Sequence, residues 1–178
     1  MAMIAGLNAE FMQPDTSAVI VAYYQSAGDE ELQAIKLDRL LFSSLGYPTD
    51  YGFFRDTLAA DGDPLDAMIA VSEPTFPGCL IEVKPVALFR MRDENAEDNK
   101  ILCVPFTDPN WSHVETLDDL PMTLRDEISH FFSIYKQPEG KHVKVDGWFP
   151  REQALKAIEE AREREAAARA EDPDGSGS

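Results

Sequence analysis

Three aspartates, Asp61, Asp63 and Asp66, lie within six residues in the segment D-G-D-P-L-D. Carboxylates this close together repel one another, so the cluster is unfavourable unless hydrogen bonds or cations compensate the charge. One interpretation is a turn, because Asp, Gly and Pro are common turn residues. The other is a cation site, because Mg²⁺ prefers oxygen ligands and is usually held by one or two carboxylates together with substrate phosphates.

A second acidic cluster, D-E-N-A-E-D, spans residues 93–98 between two predicted strands. Asp93 continues the apolar phase of the preceding strand, so we expect its carboxylate to point inward, which is unfavourable unless it is paired or binds a cation. Asp98 shares a strand face with Lys100. A solvated loop is the alternative, but the inward phase of Asp93 favours a metal site. Two metals close together would suit phosphoryl transfer.

Residues that can bind an anion accompany these acidic clusters. They are Arg39, which continues the apolar face of a predicted strand, and Tyr47, Tyr51, Lys100, Tyr135 and Lys136. Taken singly, a tyrosine is usually a core residue and a lysine a surface residue. Taken together, cations and phenol hydroxyls beside a metal–carboxylate cluster predict a site for a compact polyanion, with bound metals reversing the local negative field.

Motifs of other catalytic classes are absent from the sequence. It contains no G-x-x-x-x-G-K-[ST] phosphate loop, no G-x-G-x-x-G after a strand and no G-x-S-x-G. An EF-hand loop starting at Asp61 fails, because Asp66 takes the place of its glycine and Ser72 that of its final glutamate. The three histidines, His113, His130 and His142, lack metal-ligand spacing.

Composition restricts the partners of the chain. Its 178 residues suit one domain, and 44% are apolar, enough for a core. The net charge of −17 argues against nucleic acid or an anionic membrane as the main partner. With neither an 18-residue apolar run nor a signal-peptide pattern, we expect a cytoplasmic protein. Cys79 and Cys103 lie in apolar runs, which predicts reduced core thiols.

Hydrophobic patterning predicts short strands followed by helices. Strands are predicted at residues 18–24, 34–42, 66–71, 81–93 and 100–105, a turn-rich segment at 45–53, helices at 120–136 and 150–170, and an extended piece at 141–148. This pattern favours an α+β domain built around a small antiparallel barrel. We expect a lead-in over residues 1–16, one domain over 17–170 and a disordered tail over 171–178.

Two of these elements carry detailed expectations. Within 81–93, one apolar phase is predicted to comprise Ile81, Val83, Ala87, Phe89 and Met91. The first helix is predicted to bury a stripe formed by Leu124, Ile128, Phe131 and Tyr135. Asp118 or Asp119 is predicted to cap the start of this helix.

Four segments, in this order and spacing, resemble the family I soluble inorganic pyrophosphatases: YPTDYGF, DTLAADGDPLDAMI, RMRDENAEDNKILCVP and HFFSIYK. The similarity runs from about Ile35 to Trp148. It implies a small five-stranded OB-like barrel with flanking helices in a cytoplasmic homohexamer. It also implies Mg²⁺-dependent hydrolysis of pyrophosphate to two phosphates by direct attack of a metal-activated water.

The resemblance also implies roles for the candidate residues. Asp61, Asp66 and Asp98 would bind the metal that activates the water, with Asp66 bridging to a second metal. Asp93 and Asp98 would hold metal that arrives with the substrate, and Asp63 would be the general base. The phosphate oxygens would be bound by Arg39, Tyr51, Lys100, Tyr135 and Lys136, with Tyr47 nearby.

One segment departs from the family pattern. The family carries a motif like E-I-P-x-G-x-x-x-K-Y-E before its arginine, whereas this chain has VIVAYYQSAGDEELQAIKLDR and no lysine before Lys36. Loss of one preorganised charge contact commonly lowers the rate by about 10²–10³. Two alternatives to an active pyrophosphatase therefore stay open: a non-catalytic paralogue that binds metal and phosphate, and a hydrolase of another phosphoanhydride.

Overall fold

The computed structural model describes residues 19–20, 46–76, 79–94 and 96–171. The strands in these ranges are β1 (Val19–Ile20), β2 (Asp50–Phe53), β3 (Asp66–Ile69), β4 (Glu82–Asp93), β5 (Ala96–Glu97), β6 (Lys100–Pro105) and β7 (Val143–Pro150). The helices are α1 (Met122–Ile134) and α2 (Arg151–Glu171), with 3-10 turns at Leu117–Asp119 and Gln137–Glu139. The strands predicted at 66–71, 81–93 and 100–105 are confirmed, as are both helices and the extended piece after α1.

The strands form one mixed sheet in the order β1-β4-β6-β3-β2, and β5 and β7 also pair with β4. Strands β3 and β6 run parallel, so the prediction of a wholly antiparallel sheet is wrong for this pair. The parallel pairing is possible because the long connection between β3 and β6 contains β4, which lies antiparallel to β6. No ladder joins β1 to β2 within the described ranges, and closure into an OB-like barrel stays a prediction.

A β-bulge divides the long strand β4 between two hydrophobic clusters. The register against β6 shifts between Pro85 and Ala87, which inserts one residue and reverses the alternation of faces. Val83 therefore packs in one cluster with Leu88. The opposite cluster contains Ala87, Phe89 and Met91. The single apolar phase predicted for Ile81–Met91 is thus wrong on the N-terminal side of the bulge.

Helix α1 covers the cluster that contains Phe89. Its predicted stripe is confirmed, because Ile128, Phe131 and Tyr135 are buried and Leu124 packs against them. The predicted aspartate cap is wrong, because the residue that precedes the helix is Pro121. Asp119 instead accepts hydrogen bonds from the amides of Glu115 and Thr116, which closes the preceding 3-10 turn.

The segment 45–53 is less turn-rich than predicted, because β2 begins at Asp50 and pairs antiparallel with β3 along its whole length. Most of the predicted strand 18–24 and all of 34–42, together with residues 1–16 and 172–178, lie outside the described residues. Cys103 is a buried free thiol as predicted, whereas free Cys79 is only half-buried. None of the described helices is long and apolar enough to cross a membrane.

Candidate active site

The ammonium group of Lys100 is the centre of a buried polar network. Its Nζ atom lies 2.6 Å from Asp66 Oδ2, 2.6 Å from Asp98 Oδ1 and 2.8 Å from the Tyr51 hydroxyl. The Tyr51 hydroxyl in turn donates to Asp66 Oδ2. Only 2% of the Lys100 surface is exposed, so these contacts replace nearly all of its hydration.

Strand register explains why these four residues meet. The parallel pairing of β3 with β6 sets Asp66 directly opposite Lys100. Asp98 lies two residues before Lys100, so its side chain points to the same face. Tyr51 lies on β2, next to β3, where it pairs with Met68. Adjacent strand positions therefore assemble residues that are distant in the sequence.

Aromatic rings enclose this network on the side of α1. The Nζ atom of Lys100 lies 5.3 Å from the ring centroids of both Tyr51 and Phe132, a distance at which a cation is attracted to a ring face. Phe132 is a site residue that the sequence reasoning missed. The available signal was its position directly after Phe131 in H-F-F-S-I-Y-K. Two consecutive apolar residues of a helix point in different directions, so each packs against a different part of the protein.

Two further tyrosines extend the aromatic wall. The ring of Tyr47 lies 5.1 Å from that of Tyr51 and 4.8 Å from that of Phe131. The ring of Tyr135 packs 5.3 Å from that of Phe132 in an edge-on arrangement. Tyr47 is exposed whereas Tyr135 is buried, so the wall runs from the protein surface to the interior.

Charge and burial set the protonation states in the network. Burial alone would lower the pKa of Lys100, but the carboxylates of Asp66 and Asp98 outweigh it and raise that pKa above its ordinary value of 10.5. Burial raises the pKa of the Tyr51 phenol well above its usual range, with Asp66 adding to the shift. At neutral pH, Lys100 is therefore a cation and Tyr51 a neutral hydrogen-bond donor.

A second ion pair, between Lys136 and Asp93, lies where the C-terminal end of α1 meets the end of β4. The other carboxylate oxygen of Asp93, Oδ1, is buried and has no hydrogen-bond partner among the described residues. Burial raises the pKa of Tyr135; the Lys100 ammonium lowers it, and the carboxylates of Asp98 and Asp93 raise it further, so Tyr135 interacts with the charges of both groups. Tyr135 is thus also a protonated phenol at neutral pH.

Asp61 and Asp63 lie in the exposed loop that leads into β3. The loop is internally bonded: the Asp63 amide donates to Asp61 Oδ1 at 3.1 Å, and the Ala59 amide donates to the Asp63 carbonyl at 2.7 Å. Gly62 between the aspartates has a φ of +95°, a conformation that residues with a side chain rarely adopt. The backbone of this segment therefore forms a turn, as the first interpretation predicted, and both carboxylates are exposed to solvent.

The structure thus places the candidate residues in three groups. One is the network of Tyr51, Asp66, Asp98 and Lys100 with Tyr47 and Tyr135 beside it, another is the pair Asp93–Lys136, and the third is the loop with Asp61 and Asp63. Arg39 lies outside the described residues.

The donor chemistry of these groups fits a hard divalent cation, because every acidic ligand candidate offers carboxylate oxygens. Among the described residues, no three Asp, Glu, His or Cys side chains lie close enough together to hold a metal ion as they stand. Lys100 and Lys136 form ion pairs with the carboxylates. The unpartnered Oδ1 atom of Asp93 is a free ligand position in the buried part of the site.

Known sequences resemble this chain over most of its length. The family described as inorganic pyrophosphatase matches residues 22–166. An inorganic pyrophosphatase of Methanosarcina acetivorans is 57% identical over 136 residues, which cover 76% of this chain and 81% of that protein. One of Streptomyces coelicolor is 49% identical over 137 residues, which cover 76% of this chain and 84% of that protein.

Solved structures show the same likeness. The crystal structure of inorganic pyrophosphatase from Thermus thermophilus superposes with a TM-score of 0.79 and 37% identity, covering 90% of this chain and 97% of that one. The inorganic pyrophosphatase from Helicobacter pylori gives a TM-score of 0.75 and 34% identity, covering 85% and 92% of the two chains. Sequence and fold therefore point to the same family.

Proposed function

Because the chain belongs to the family I soluble inorganic pyrophosphatases, we propose that it hydrolyses inorganic pyrophosphate to two phosphates with Mg²⁺ as its cofactor. Membership of this family implies a divalent metal, and Mg²⁺ is the hard cation that carboxylates and substrate phosphates commonly hold together. The observation that carries the proposal is the buried Lys100, held between Asp66, Asp98 and Tyr51. A buried cation among carboxylates and a phenol suits a site that must bind both metal and polyanion.

The proposed metal ligands are all aspartates. Asp61, Asp66 and Asp98 would hold one cation, and Asp93 with Asp98 would hold cations that accompany the substrate. The unpartnered Oδ1 atom of Asp93 supports its role. When bound, divalent cations lower the pKa of a coordinated water and stabilise negative charge on phosphoryl oxygens.

The proposed substrate-binding groups are the cations and phenols of the site. Lys100 and Lys136 would bind phosphate oxygens by charge-assisted hydrogen bonds, together with Arg39. Tyr51 and Tyr135 would donate hydrogen bonds, for which the raised pKa of each phenol is suitable. Tyr47 would line the approach, where its ring packs at a tilt against that of Tyr51 and is exposed.

Asp63 is the proposed general base. Its exposed carboxylate would take a proton from the attacking water as the water oxygen forms a bond to one phosphorus atom. The bridging P–O bond then breaks, and the second phosphate leaves with the bridging oxygen. The cationic side chains stabilise the charge that develops on this leaving group.

The finer features of architecture are proposals as well. We propose that the sheet closes into a five-stranded OB-like barrel. We further propose a cytoplasmic homohexamer. Sedimentation of the purified protein should then give the mass of six chains rather than of one.

Phosphate release from pyrophosphate by the purified protein, measured while Mg²⁺ is titrated, tests the proposal. ATP and p-nitrophenyl phosphate should be tested in parallel at equal concentration. We expect Mg²⁺-dependent release that is fastest with pyrophosphate. Faster release from ATP would instead support a hydrolase of another phosphoanhydride. Binding of Mg²⁺ and pyrophosphate without turnover would show a non-catalytic paralogue.

A further inference from the structure

Helix α2 holds both backbone polar groups of Leu58, a residue in the loop before the aspartates. The Leu58 amide donates to the carbonyl of Ala161 at 2.9 Å. The Leu58 carbonyl accepts from Nε of Arg164 at 2.8 Å. Helix α2 therefore binds both the amide and the carbonyl of Leu58. The bond to the carbonyl comes from a cationic side chain.

This contact leads directly into the D-G-D-P-L-D segment. Ala59, the next residue, donates its amide to the Asp63 carbonyl at 2.7 Å and accepts from the Gly62 amide at 3.3 Å. Asp63 in turn donates to the Asp61 carboxylate. The anchored Leu58 is therefore followed directly by Ala59, the residue whose hydrogen bonds close the turn that contains the aspartates.

The base of the loop is fixed by hydrogen bonds next to β2 and β3. Thr57, only 3% exposed, donates to the Phe54 carbonyl at 2.6 Å and accepts from the Leu65 amide at 3.0 Å. The bond between Thr57 and Leu65 joins the two ends of the loop, between the end of β2 and the start of β3. The tip, which carries Asp61 and Asp63, lies beyond this base and directly follows the residue that α2 contacts.

Arg164 itself is exposed and contacts none of the proposed substrate-binding groups in the described structure. The chain is strongly acidic, yet Nε of this arginine is directed at a neutral carbonyl. A hydrogen bond from a charged donor to a carbonyl is stronger than one between neutral groups. The geometry therefore suits an anchor for the loop.

We propose that Arg164 is a positioning residue, which through Leu58 holds the loop of Asp61 and Asp63 in the arrangement that binds the divalent metal. The inference rests on the proposed function, in which Asp61 binds the metal and Asp63 is the general base. It predicts that loss of the anchor weakens metal binding without changing the chemistry at saturating metal, because a loop that must be ordered on binding lowers affinity.

The test compares Arg164→Gln with Lys156→Gln, which removes an equal charge from an exposed position of the same helix, where Lys156 pairs with Glu160. Hydrogen exchange of the Leu58 and Ala59 amides is measured in metal-free protein, and the Mg²⁺ dissociation constant is measured by calorimetry. For Arg164→Gln we expect faster exchange and a dissociation constant raised about twofold to tenfold. We expect kcat at saturating Mg²⁺ to be unchanged, and Arg164→Lys to restore part of the affinity.

A Mg²⁺ dissociation constant in Arg164→Gln equal to those of the wild type and of Lys156→Gln would overturn the inference. So would a fall in kcat at unchanged affinity, which would show a general structural defect. A wild type that binds Mg²⁺ but does not hydrolyse pyrophosphate would contradict the proposed function alone, since the calorimetric comparison would still decide the role of Arg164.

Discussion

Asp66 and Lys100 stand directly opposite each other on the parallel strands β3 and β6, with Lys100 Nζ 2.6 Å from Asp66 Oδ2. The same ammonium group contacts Asp98 at 2.6 Å. Two carboxylates share one buried cation, so the network as described carries one net negative charge. Such a site can accept a divalent cation and still retain a positive side chain for a phosphate oxygen.

Lys100→Met should destabilise the protein and abolish efficient turnover. The substitution leaves Asp66 and Asp98 partly buried beside each other without their cation, and removal of one partner of a buried ion pair typically costs about 3–5 kcal/mol. Urea unfolding of the metal-free variant measures the loss in the free energy of unfolding. Lys144→Met is the control, because Lys144 is 74% exposed in its pair with Asp146, and its unfolding should match the wild type. Equal stability of both variants would contradict the account.

Tyr51→Phe isolates the hydroxyl of the network. The ring contacts with Tyr47 and Phe132 remain, but Asp66 loses a donor and Lys100 loses an acceptor. We expect the free energy of unfolding to fall by about 0.5–1.5 kcal/mol, the usual net value of one hydrogen bond, and kcat/KM for pyrophosphate to fall with it. Parallel denaturation and steady-state kinetics check both; an unchanged kcat/KM would remove Tyr51 from the proposed substrate site.

Lys136→Met should strengthen the binding of Mg²⁺ and weaken the binding of pyrophosphate. The Lys136 ammonium pairs with Asp93, so its removal frees a proposed metal ligand. Because the freed Asp93 carboxylate can then bind Mg²⁺ before the substrate arrives, we expect Mg²⁺ affinity in the absence of pyrophosphate to rise by up to about fivefold, the value of a partly exposed ion pair. The KM for pyrophosphate should rise, because a cation for the phosphate is lost. Calorimetry and kinetics on the same preparation separate the two effects. Weaker Mg²⁺ binding by Lys136→Met than by the wild type would show that Lys136 does not compete with the metal for Asp93.

Asp119 should make stability depend on acid pH. Hydrogen bonds from the amides of Glu115 and Thr116 and from the Thr116 hydroxyl hold its pKa below the ordinary value of 3.8. A carboxyl whose pKa is lowered on folding stabilises the fold above its unfolded pKa, and this contribution is lost as pH falls through the folded pKa. Asp119→Asn should therefore lower Tm at pH 7, with the difference shrinking below pH 3.8.

Thermal unfolding from pH 7 down to pH 2.5 follows this difference. Asp118→Asn, at the exposed neighbouring position, is the matched control and should unfold like the wild type throughout. A Tm deficit for Asp119→Asn that stays constant through the acid range would show that the carboxylate charge plays no part.

Local patterns predicted the elements well where one rule applied along a whole segment. The alternation in 81–93 predicted β4, and the spacing from Leu124 to Tyr135 predicted the buried face of α1. The same reasoning failed at Val83, because it did not use Pro85, although a proline inside a strand is typical of a bulge. Alternation within one strand cannot reveal an extra residue that the partner strand imposes.

The candidate site was predictable as a set of residues but not as a geometry. Charge chemistry singled out Asp66, Asp98 and Lys100, and spacing placed the last two on one face. That Asp66 pairs with Lys100 follows from the parallel register of β3 and β6, which connects positions 34 residues apart. The role of Phe132 likewise depends on how α1 packs on the sheet, a tertiary relationship.

The most direct test of the account is phosphate release from pyrophosphate by Asp63→Asn and by the wild type, with Mg²⁺ titrated to saturation for each. Glu73→Gln, which removes one acidic charge at another exposed position, serves as the control. We expect Mg²⁺-dependent turnover by the wild type and the control, and a rate lower by about 10²–10⁴ for Asp63→Asn, the usual contribution of a general base. Turnover that persists at the wild-type rate in Asp63→Asn would contradict the proposed mechanism.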